Sequence, residues 1–254
     1  ITAGGQTFTI TQAAPGIVIQ PNVVTNAASY AVGSVSPGMI VTIFVSGAGP
    51  QTPATLQLNP DGRGVSTTLA TTRVLFDGVA APMVAALATQ VSAVVPYVTG
   101  SRATTQLQVE YQGIRSNLIS VPVVSAIPGL FSLNGSGTGP GAILNQDNSL
   151  NSATNPIPAG DIVLLYGTGE GQTVPAGGDG LLAVAPLPRP GLPVGVKIGG
   201  VDAEVLYAGA APGLVSGVIQ VNVRIPATAR SGNLPVVMRI GLADSQTGLT
   251  VAVK

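Results

Sequence analysis

The chain has 254 residues, of which 8% are charged, with ten basic and ten acidic side chains, no cysteine and no histidine. Balanced charge excludes the basic field that nucleic acid requires, and the absence of cysteine excludes disulfides, thiol nucleophiles and iron–sulfur sites. Without histidine the commonest general base and the commonest transition-metal ligand are missing. The composition therefore argues against an enzyme and predicts no cofactor and no metal.

The sparse charge also predicts an unusual surface, since soluble domains usually carry about 25% charged residues. Such an apolar, uncharged surface usually ends up against a partner. The most apolar window, residues 79–98, is interrupted by Pro82, Gln90 and Pro96, which favours two strands and a turn over a membrane span. Because the sequence begins at Ile1, we expect a processed chain or a fragment whose signal peptide is already removed.

The first predicted element is an N-terminal arm, residues 1–20. Its centre alternates polar and apolar side chains, which predicts a strand with Phe8 and Ile10 on one face and threonines on the other. Because a terminal arm frays unless it is tied down, we expect it to pair with something. An ordinary first strand of the first domain and a strand that pairs with a neighbouring chain are both open. The predicted interaction residues are Thr7, Phe8, Thr9, Ile10 and Thr11.

The second region, residues 21–125, predicts a β-sandwich of about seven short strands. A turn at residues 59–62 separates two short β-prone runs and predicts a hairpin. The remaining strands are predicted at residues 38–45, 74–79, 90–95, 106–111 and 118–124.

The third region, residues 126–254, repeats the second. Residues 38–49 read GMIVTIFVSGAG and residues 160–171 read GDIVLLYGTGEG, so that Val41 and Val163, and likewise Gly47 and Gly169, lie 122 positions apart. Later strands match at an offset of 130, which places eight extra residues in a loop around residues 207–217. A repeat of this length indicates two tandem domains. We therefore predict an all-β chain of two tandem immunoglobulin-like β-sandwiches that follow an extended N-terminal strand arm.

Three clusters invite a chemical interpretation, and each has a simpler structural one. The run of residues 167–171, GTGEG, lacks the following helix and lysine of a phosphate cradle, so a turn or bulge is favoured. Asp147 and its neighbouring asparagines lack the spacing of a calcium loop and fit a hairpin turn. Asp202 and Glu204 share one face of a strand, but a solvated pair without aromatic platforms fits surface charge better than glycoside hydrolysis.

Several motifs together resemble the Solibacter-type C-terminal domain, an uncharacterised family found at the ends of large secreted proteins of Acidobacteria. They include NAAS at 26–29, PGMIV at 37–41, PGLF at 128–131, NQDNSLN at 145–151, YGTG at 166–169 and YAG at 207–209. The resemblance covers nearly all of residues 26–254 and implies tandem immunoglobulin-like sandwiches, secretion and no catalytic residues. Residues 1–14 separately resemble the closing strand of a BACON repeat, a module suspected of carbohydrate binding. A closing strand without its own sheet would expose an unsatisfied edge.

These observations lead to one functional hypothesis and one alternative. The leading hypothesis is a non-enzymatic extracellular structural protein, a surface fibre subunit that donates its N-terminal strand to a neighbouring copy. The alternative is an adhesin or a carbohydrate-binding module of a larger secreted protein, whose partner would be a surface glycan.

Overall fold

We describe a computed structural model of the chain, in which residues 2–3, 6–7 and 16–254 are defined. The prediction of an all-β chain is confirmed, with 47% of residues in strands and 3% helical. The two short 3₁₀ helices are Pro21–Val23 and Tyr97–Ser101. The N-terminal strands are β1 (Thr2–Ala3) and β2 (Gln6–Thr7).

The first sandwich is formed by residues 16–125 and has two antiparallel sheets. One sheet has the order β3-β4-β9-β8-β5, and the other has the order β11-β10-β6-β7 with β12 also paired to β10. The strands are β3 (Val24–Asn26), β4 (Ile40–Phe44), β5 (Ala54–Thr55), β6 (Thr72–Phe76), β7 (Val79–Ala80), β8 (Met83–Leu87), β9 (Gln90–Val94), β10 (Thr104–Tyr111), β11 (Ile114–Arg115) and β12 (Ile119–Pro122). The hairpin predicted around residues 59–62 is present as a single bridge, Leu58 to Val65.

The second sandwich is formed by residues 126–254. Its main strands make one continuous path, β13-β16-β21-β20-β19-β22-β24-β14, while β15 pairs with β16, β23 pairs with β22, and β17 and β18 pair with each other. The strands are β13 (Gly129–Leu130), β14 (Gly139–Pro140), β15 (Ile143–Asn145), β16 (Ile162–Thr168), β17 (Thr173–Val174), β18 (Arg189–Pro190), β19 (Val194–Ile198), β20 (Val201–Ala210), β21 (Ile219–Arg224), β22 (Gly232–Ile240), β23 (Ala243–Asp244) and β24 (Leu249–Val253).

The two sandwiches share their strand plan. β6 and β19 coincide residue for residue at the offset of 122, and β20 covers the positions of both β7 and β8. In the second sandwich β20 crosses between layers at a bulge near Val205, because β19 pairs with its first residues and β21 with the rest. The first sandwich has Pro82 at this crossing, where the missing N–H breaks the ladder. One long strand in the second sandwich therefore corresponds to two short strands in the first.

Each sandwich has its own hydrophobic core, made of the inward-facing residues of its strands. A third, smaller cluster lies between the sandwiches, where Ile40, Val65 and Val94 of the first pack against Val215 of the second. Val215 lies in the loop after β20, in the region where the eight extra residues are predicted. The longer loop of the second sandwich therefore supplies part of the apolar contact between the two.

Candidate functional site

The predicted interaction residues lie mostly outside the described part of the chain. Phe8, Thr9, Ile10 and Thr11 are not among the described residues, whereas Thr7 ends β2 and pairs with Thr2 of β1. Within the described residues, the β1–β2 pair forms a separate two-stranded sheet and joins no sheet of either sandwich. The arm residues that are described therefore do not serve as an edge strand of the first sandwich.

Residues 16–20, which the sequence places in the arm, instead lead into the first sandwich. Ile17 and Ile19 are buried in its core, and Val18 between them is 64% exposed. The side-chain amide of Asn117 holds Ile19 as a neighbouring strand would, because its Oδ1 accepts from the Ile19 N–H at 2.8 Å and its Nδ2 donates to the Ile19 carbonyl at 2.9 Å. This amide clamp fixes the point at which the chain enters the sandwich.

The second sandwich has the same clamp at the same place. Gln246 accepts from the Leu130 N–H at 3.1 Å and donates to the Leu130 carbonyl at 2.6 Å. Gln246 lies 129 residues after Asn117, which is also the offset between β11 and β23. Leu130, buried like Ile19, therefore marks the entry of the chain into the second sandwich.

Upstream of Leu130, the linker between the sandwiches runs over alternate glycines of the second. A Cβ added at Gly167, Gly169 or Gly171 would collide with the carbonyl groups of Gly129, Ile127 and Ser125, respectively. The linker is also bonded along this path, since the Ile127 N–H donates to the Gly169 carbonyl at 3.0 Å and Asn26 donates to the Ile127 carbonyl at 2.9 Å. We call this run, residues 167–171, the glycine track.

The glycine track adds a second role to the interpretation of residues 167–171 as a turn or bulge. Gly167 lies within β16, and Gly169 and Gly171 have φ angles of +88° and +80°. Glycine is required there because the linker backbone approaches closely and because the backbone at two positions is left-handed. The track is the surface of the second sandwich that receives an extended segment.

The corresponding run of the first sandwich, Val45, Gly47 and Gly49, has a different environment. Gly47 has a φ angle of +74°, similar to that of Gly169, but a Cβ added at Gly47 would meet nothing within 4 Å. β3 pairs with β4 only as far as Ile43, and residues 16–20 form no strand pairing with β4. The edge of β4 opposite β9 is thus unpaired at Phe44 within the described residues.

A groove lies at this unpaired edge. It has a volume of about 570 Å³ and no charged residue among those that line it, which are Gly16, Val18, Phe44, Val45, Ser46, Gly47 and Thr89. The Phe44 side chain is 40% exposed, and its ring centroid lies 6.2 Å from that of Tyr30. We call this feature the edge groove.

A buried carboxyl lies at the contact between the sandwiches. Glu170 is 2% exposed, its carboxyl group interacts with the Tyr97 hydroxyl, and its Oε2 has no hydrogen-bond partner among the described residues. Burial raises the pKa of Glu170 to about 8 and also raises the pKa of Tyr97, because both charged forms are poorly solvated there. The contact is further held by Tyr97 N–H to Asp179 at 2.8 Å, so that Glu170 belongs to a packed junction.

A second concave surface lies on the outer face of β19 and β22. It has a volume of about 410 Å³, and glycines and apolar side chains alternate there with charged ones. Arg239 donates two hydrogen bonds to Asp244, at 2.6 and 2.7 Å, and Lys197 lies 3.4 Å from Asp202. We call this surface, which is lined by Lys197, Asp202, Pro235, Val237, Arg239 and Asp244 and does not include Leu242, the charged saddle.

The remaining candidate residues have structural roles. Asp147 accepts from the N–H and hydroxyl of Ser149, at 2.9 and 2.6 Å, as the predicted hairpin turn requires. Asp202 and Glu204 lie on β20 and pair with Lys197 and Arg224, respectively, rather than with one reacting centre. In the described part of the chain, no three His, Cys, Asp or Glu side chains converge to hold a metal ion. No helix within the same residues is long and apolar enough to cross a bilayer.

No model of a known protein family matches the chain, and no curated protein matches it. Solved structures give distant similarities. The SGBP-B protein of a Bacteroides ovatus mixed-linkage glucan utilization locus, in complex with a mixed-linkage heptasaccharide, is 12% identical with a TM-score of 0.27, over 96% of this chain and 48% of that one. Domains 5–6 of the S-layer protein SbsC are 13% identical with a TM-score of 0.27, over 94% of this chain and 98% of theirs.

A longer piece of the surface layer protein SbsC, domains 4–9, is 13% identical with a TM-score of 0.24, over 94% of this chain and 30% of that one. This chain therefore spans about half of the SGBP-B chain and about a third of the longer SbsC piece. All of these TM-scores lie below 0.5.

Proposed function

We propose that the chain is a non-enzymatic structural subunit of an extracellular fibre, and that it joins a neighbouring copy through its N-terminal arm. The observation that carries the proposal is the position of β1 and β2, which belong to no sheet of either sandwich within the described residues. A strand pair that belongs to no sheet of its own sandwiches can add to the sheet of a second copy. A head-to-tail contact of this kind does not close, and so it builds a filament.

The junction between the sandwiches supports a structural role. Besides the third hydrophobic cluster, backbone hydrogen bonds cross the junction from Val65 N–H to Gly180 at 2.9 Å and from Leu182 N–H to Arg63 at 3.0 Å. The Ile40 N–H also donates to the Thr168 hydroxyl at 2.8 Å. Two sandwiches joined by backbone bonds and an apolar cluster suit a stiff repeating unit, because relative motion would break both.

An extracellular location and membership in the Solibacter-type family belong to the same proposal. Their support is the resemblance of the motifs between residues 26 and 254, together with a content of charged residues of only 8%. A fibre subunit with few charges has little electrostatic repulsion between copies. The low charge and the N-terminal arm therefore support the same proposal.

Assembly of the full chain tests the proposal. The purified chain should form particles much larger than a monomer by light scattering at high concentration, and filaments by electron microscopy. Deletion of residues 1–14, and separately the pair Phe8→Glu and Ile10→Glu, should leave a folded monomer by circular dichroism and scattering.

Leu242→Glu serves as the matched control for the charge substitutions, because Leu242 is 99% exposed and lies outside the arm. This variant should assemble like the native chain. A native chain that stays monomeric at high concentration, or an arm deletion that assembles normally, would contradict the proposed function.

The charged saddle supports a second candidate function, the binding of a surface glycan. Neutral ion pairs such as Arg239–Asp244 present fixed donors and acceptors beside the apolar surface of Pro235 and Val237, and sugar sites combine such polar groups with apolar contact area. A glycan array probed with the native chain and with Arg239→Ala tests this candidate. It predicts glycan binding that the substitution abolishes, whereas binding that Arg239→Ala leaves unchanged would place the glycan site elsewhere.

A further inference from the structure

We infer that the edge groove of the first sandwich is the acceptor for the N-terminal arm of a second copy of the chain. This inference rests on the proposed function, and it adds the place where the donated strand binds. The occupant is the segment Thr7, Phe8, Thr9, Ile10 and Thr11, which adds to the unpaired edge of β4 at Phe44.

The unpaired edge supplies the backbone partners that a strand requires. β4 pairs with β9 on one side through Phe44, but on the other side β3 covers only Val41 to Ile43. The Val45 N–H donates to the Thr89 carbonyl, so the alternation of a strand directs the Phe44 peptide groups toward the opposite edge, where the groove lies. An added strand would satisfy these groups.

The second sandwich shows how this edge holds an extended segment. At the matching position the Phe131 N–H donates to the Tyr166 carbonyl at 3.0 Å, and β13 pairs with Gly167 and Thr168. Tyr166 and Gly169 correspond to Phe44 and Gly47 at the offset of 122. Among the described residues the surface at Gly47 is open, whereas its counterpart at Gly169 is covered by the backbone of the chain's own linker.

The side chains also match the proposed occupant. The groove has no charged lining residue, and the segment from Thr7 to Thr11 has no charged residue. Phe8 and Ile10 would lie on one face of the added strand, where Val18 and Phe44 offer exposed apolar area. The Tyr30 ring beside Phe44 adds a second aromatic surface for Phe8.

The entry segment of the same copy does not pair with the edge at Phe44. Residues 16–20 form no strand pairing with β4, and the Asn117 clamp and the buried Ile17 hold residues 17–19 in place. Under the proposed function, the occupant of this edge is therefore the arm of a second copy.

Cross-linking between copies tests the acceptor. Because the native chain has no cysteine, disulfides can form only between the introduced positions. Chains with Ile10→Cys alone are mixed with chains that carry Ser46→Cys alone, and oxidised glutathione is added. The expected product is the mixed disulfide between position 10 of one copy and position 46 of the other, identified by peptide mass spectrometry. Leu242→Cys in place of Ser46→Cys is the control and should yield at least tenfold less of its mixed disulfide.

Equal yields with positions 46 and 242 would overturn the inference. The double variant Ile10→Cys with Ser46→Cys, oxidised at high dilution, tests the cis arrangement. An intramolecular disulfide as the main product under these conditions would also overturn the inference, because the groove would then hold the chain's own arm.

Groove substitutions separate this inference from the proposed function. Val18→Glu and Ser46→Lys change exposed side chains and should keep the circular dichroism spectrum while they reduce assembly at least tenfold. If both variants assemble normally while the arm deletion abolishes assembly, the acceptor lies elsewhere and the proposed function stands. If the arm deletion assembles normally, the proposed function itself fails.

Discussion

The two sandwiches have one strand plan but treat the same edge differently. In the second sandwich, the edge beyond β15 is covered by the linker, and Gly167, Gly169 and Gly171 lie beneath linker carbonyl groups. In the first sandwich the equivalent edge ends in the edge groove, with open space at Gly47 among the described residues. Because β4 and β16 are matched strands, the difference shows what an extended segment does at this edge of the sandwich.

The two sandwiches also differ at the buried residue in the middle of the glycine track. Ala48 of the first sandwich becomes Glu170 of the second, and both are buried. The larger, ionisable side chain reaches Tyr97 of the first sandwich, so it is used only where two sandwiches meet. The second sandwich thus differs from the first chiefly where it receives another part of the chain.

The largest expected difference between the two runs comes from matched glycine substitutions. Gly169→Ala should lower the free energy of unfolding by about 3 to 5 kcal/mol, since it combines a left-handed residue with a collision against the linker carbonyl of Ile127. Gly47→Ala has the left-handed strain alone and should cost about 1 to 2 kcal/mol. Chemical denaturation of both variants measures the difference, and equal losses would mean that the linker contact contributes nothing.

The second prediction concerns pH. The folded pKa of Glu170 is raised to about 8 from an ordinary value of 4.5, so its contribution is complete below pH 4.5 and is lost as the pH rises toward 8, because the unfolded chain ionises first. The free energy of unfolding should fall by about 2 to 3 kcal/mol between pH 5.5 and pH 7.5. Glu170→Gln should remove this slope, and thermal unfolding across the range measures it.

Glu170→Ala, which introduces the residue that the first sandwich has at the matching position, is the second variant for this test. It should also remove the slope, although it lowers stability at acidic pH because it leaves a cavity beside Tyr97. A slope that survives both substitutions would assign the pH dependence to another group.

The amide clamps give the third test. Asn117→Ala and Gln246→Ala each remove two hydrogen bonds to a buried entry residue, Ile19 or Leu130, and each should cost about 2 kcal/mol. The local effects should differ, because Ile19 is preceded by residues of the arm, whereas Leu130 is preceded by the hydrogen-bonded linker. Amide exchange should therefore rise at residues 17–19 in Asn117→Ala and change less at residues 129–131 in Gln246→Ala.

The sequence predicts much of the fold because the duplication lets a strand predicted in one half be compared with the matching segment of the other half. β6 and β19 coincide at the offset of 122, and the loop after β20 overlaps the predicted loop at residues 207–217, of which residues 207–210 still belong to β20. The glycine run at residues 167–171 was harder to interpret, because glycines that form a turn and glycines that lie beneath a crossing backbone look alike in one dimension. The close approach is set by the linker, whose residues Gly129, Ile127 and Ser125 lie 38, 42 and 46 positions before the glycines that they cross.

The candidate site is less visible in the sequence for a related reason. Glu170 is one acidic residue in a glycine-rich run, and only the packing of Tyr97 from the other sandwich shows that it is buried. Val18 and Phe44 are ordinary apolar residues, and the edge groove between them arises from where β3 stops. The prediction for Phe8, Thr9, Ile10 and Thr11 stays a prediction, since these residues lie outside the described part of the chain.

The smallest expected effect comes from an ion pair that the duplication reverses. Glu110 pairs with Arg115 at 2.8 Å in the first sandwich, and Arg239 pairs with Asp244 at 2.6 Å in the second, so the same hairpin position holds opposite charge. Exchange of the second pair, Arg239→Glu with Asp244→Arg, should keep the free energy of unfolding within about 1 kcal/mol, because exposed pairs contribute little. Arg239→Glu alone places the new carboxylate beside Asp244 and near Asp202. The resulting loss in the free energy of unfolding should become smaller at high salt, because salt screens the repulsion. Denaturation at low and high salt measures both variants, and a single variant as stable as the exchanged pair would show that charge at this hairpin has no role in the second sandwich.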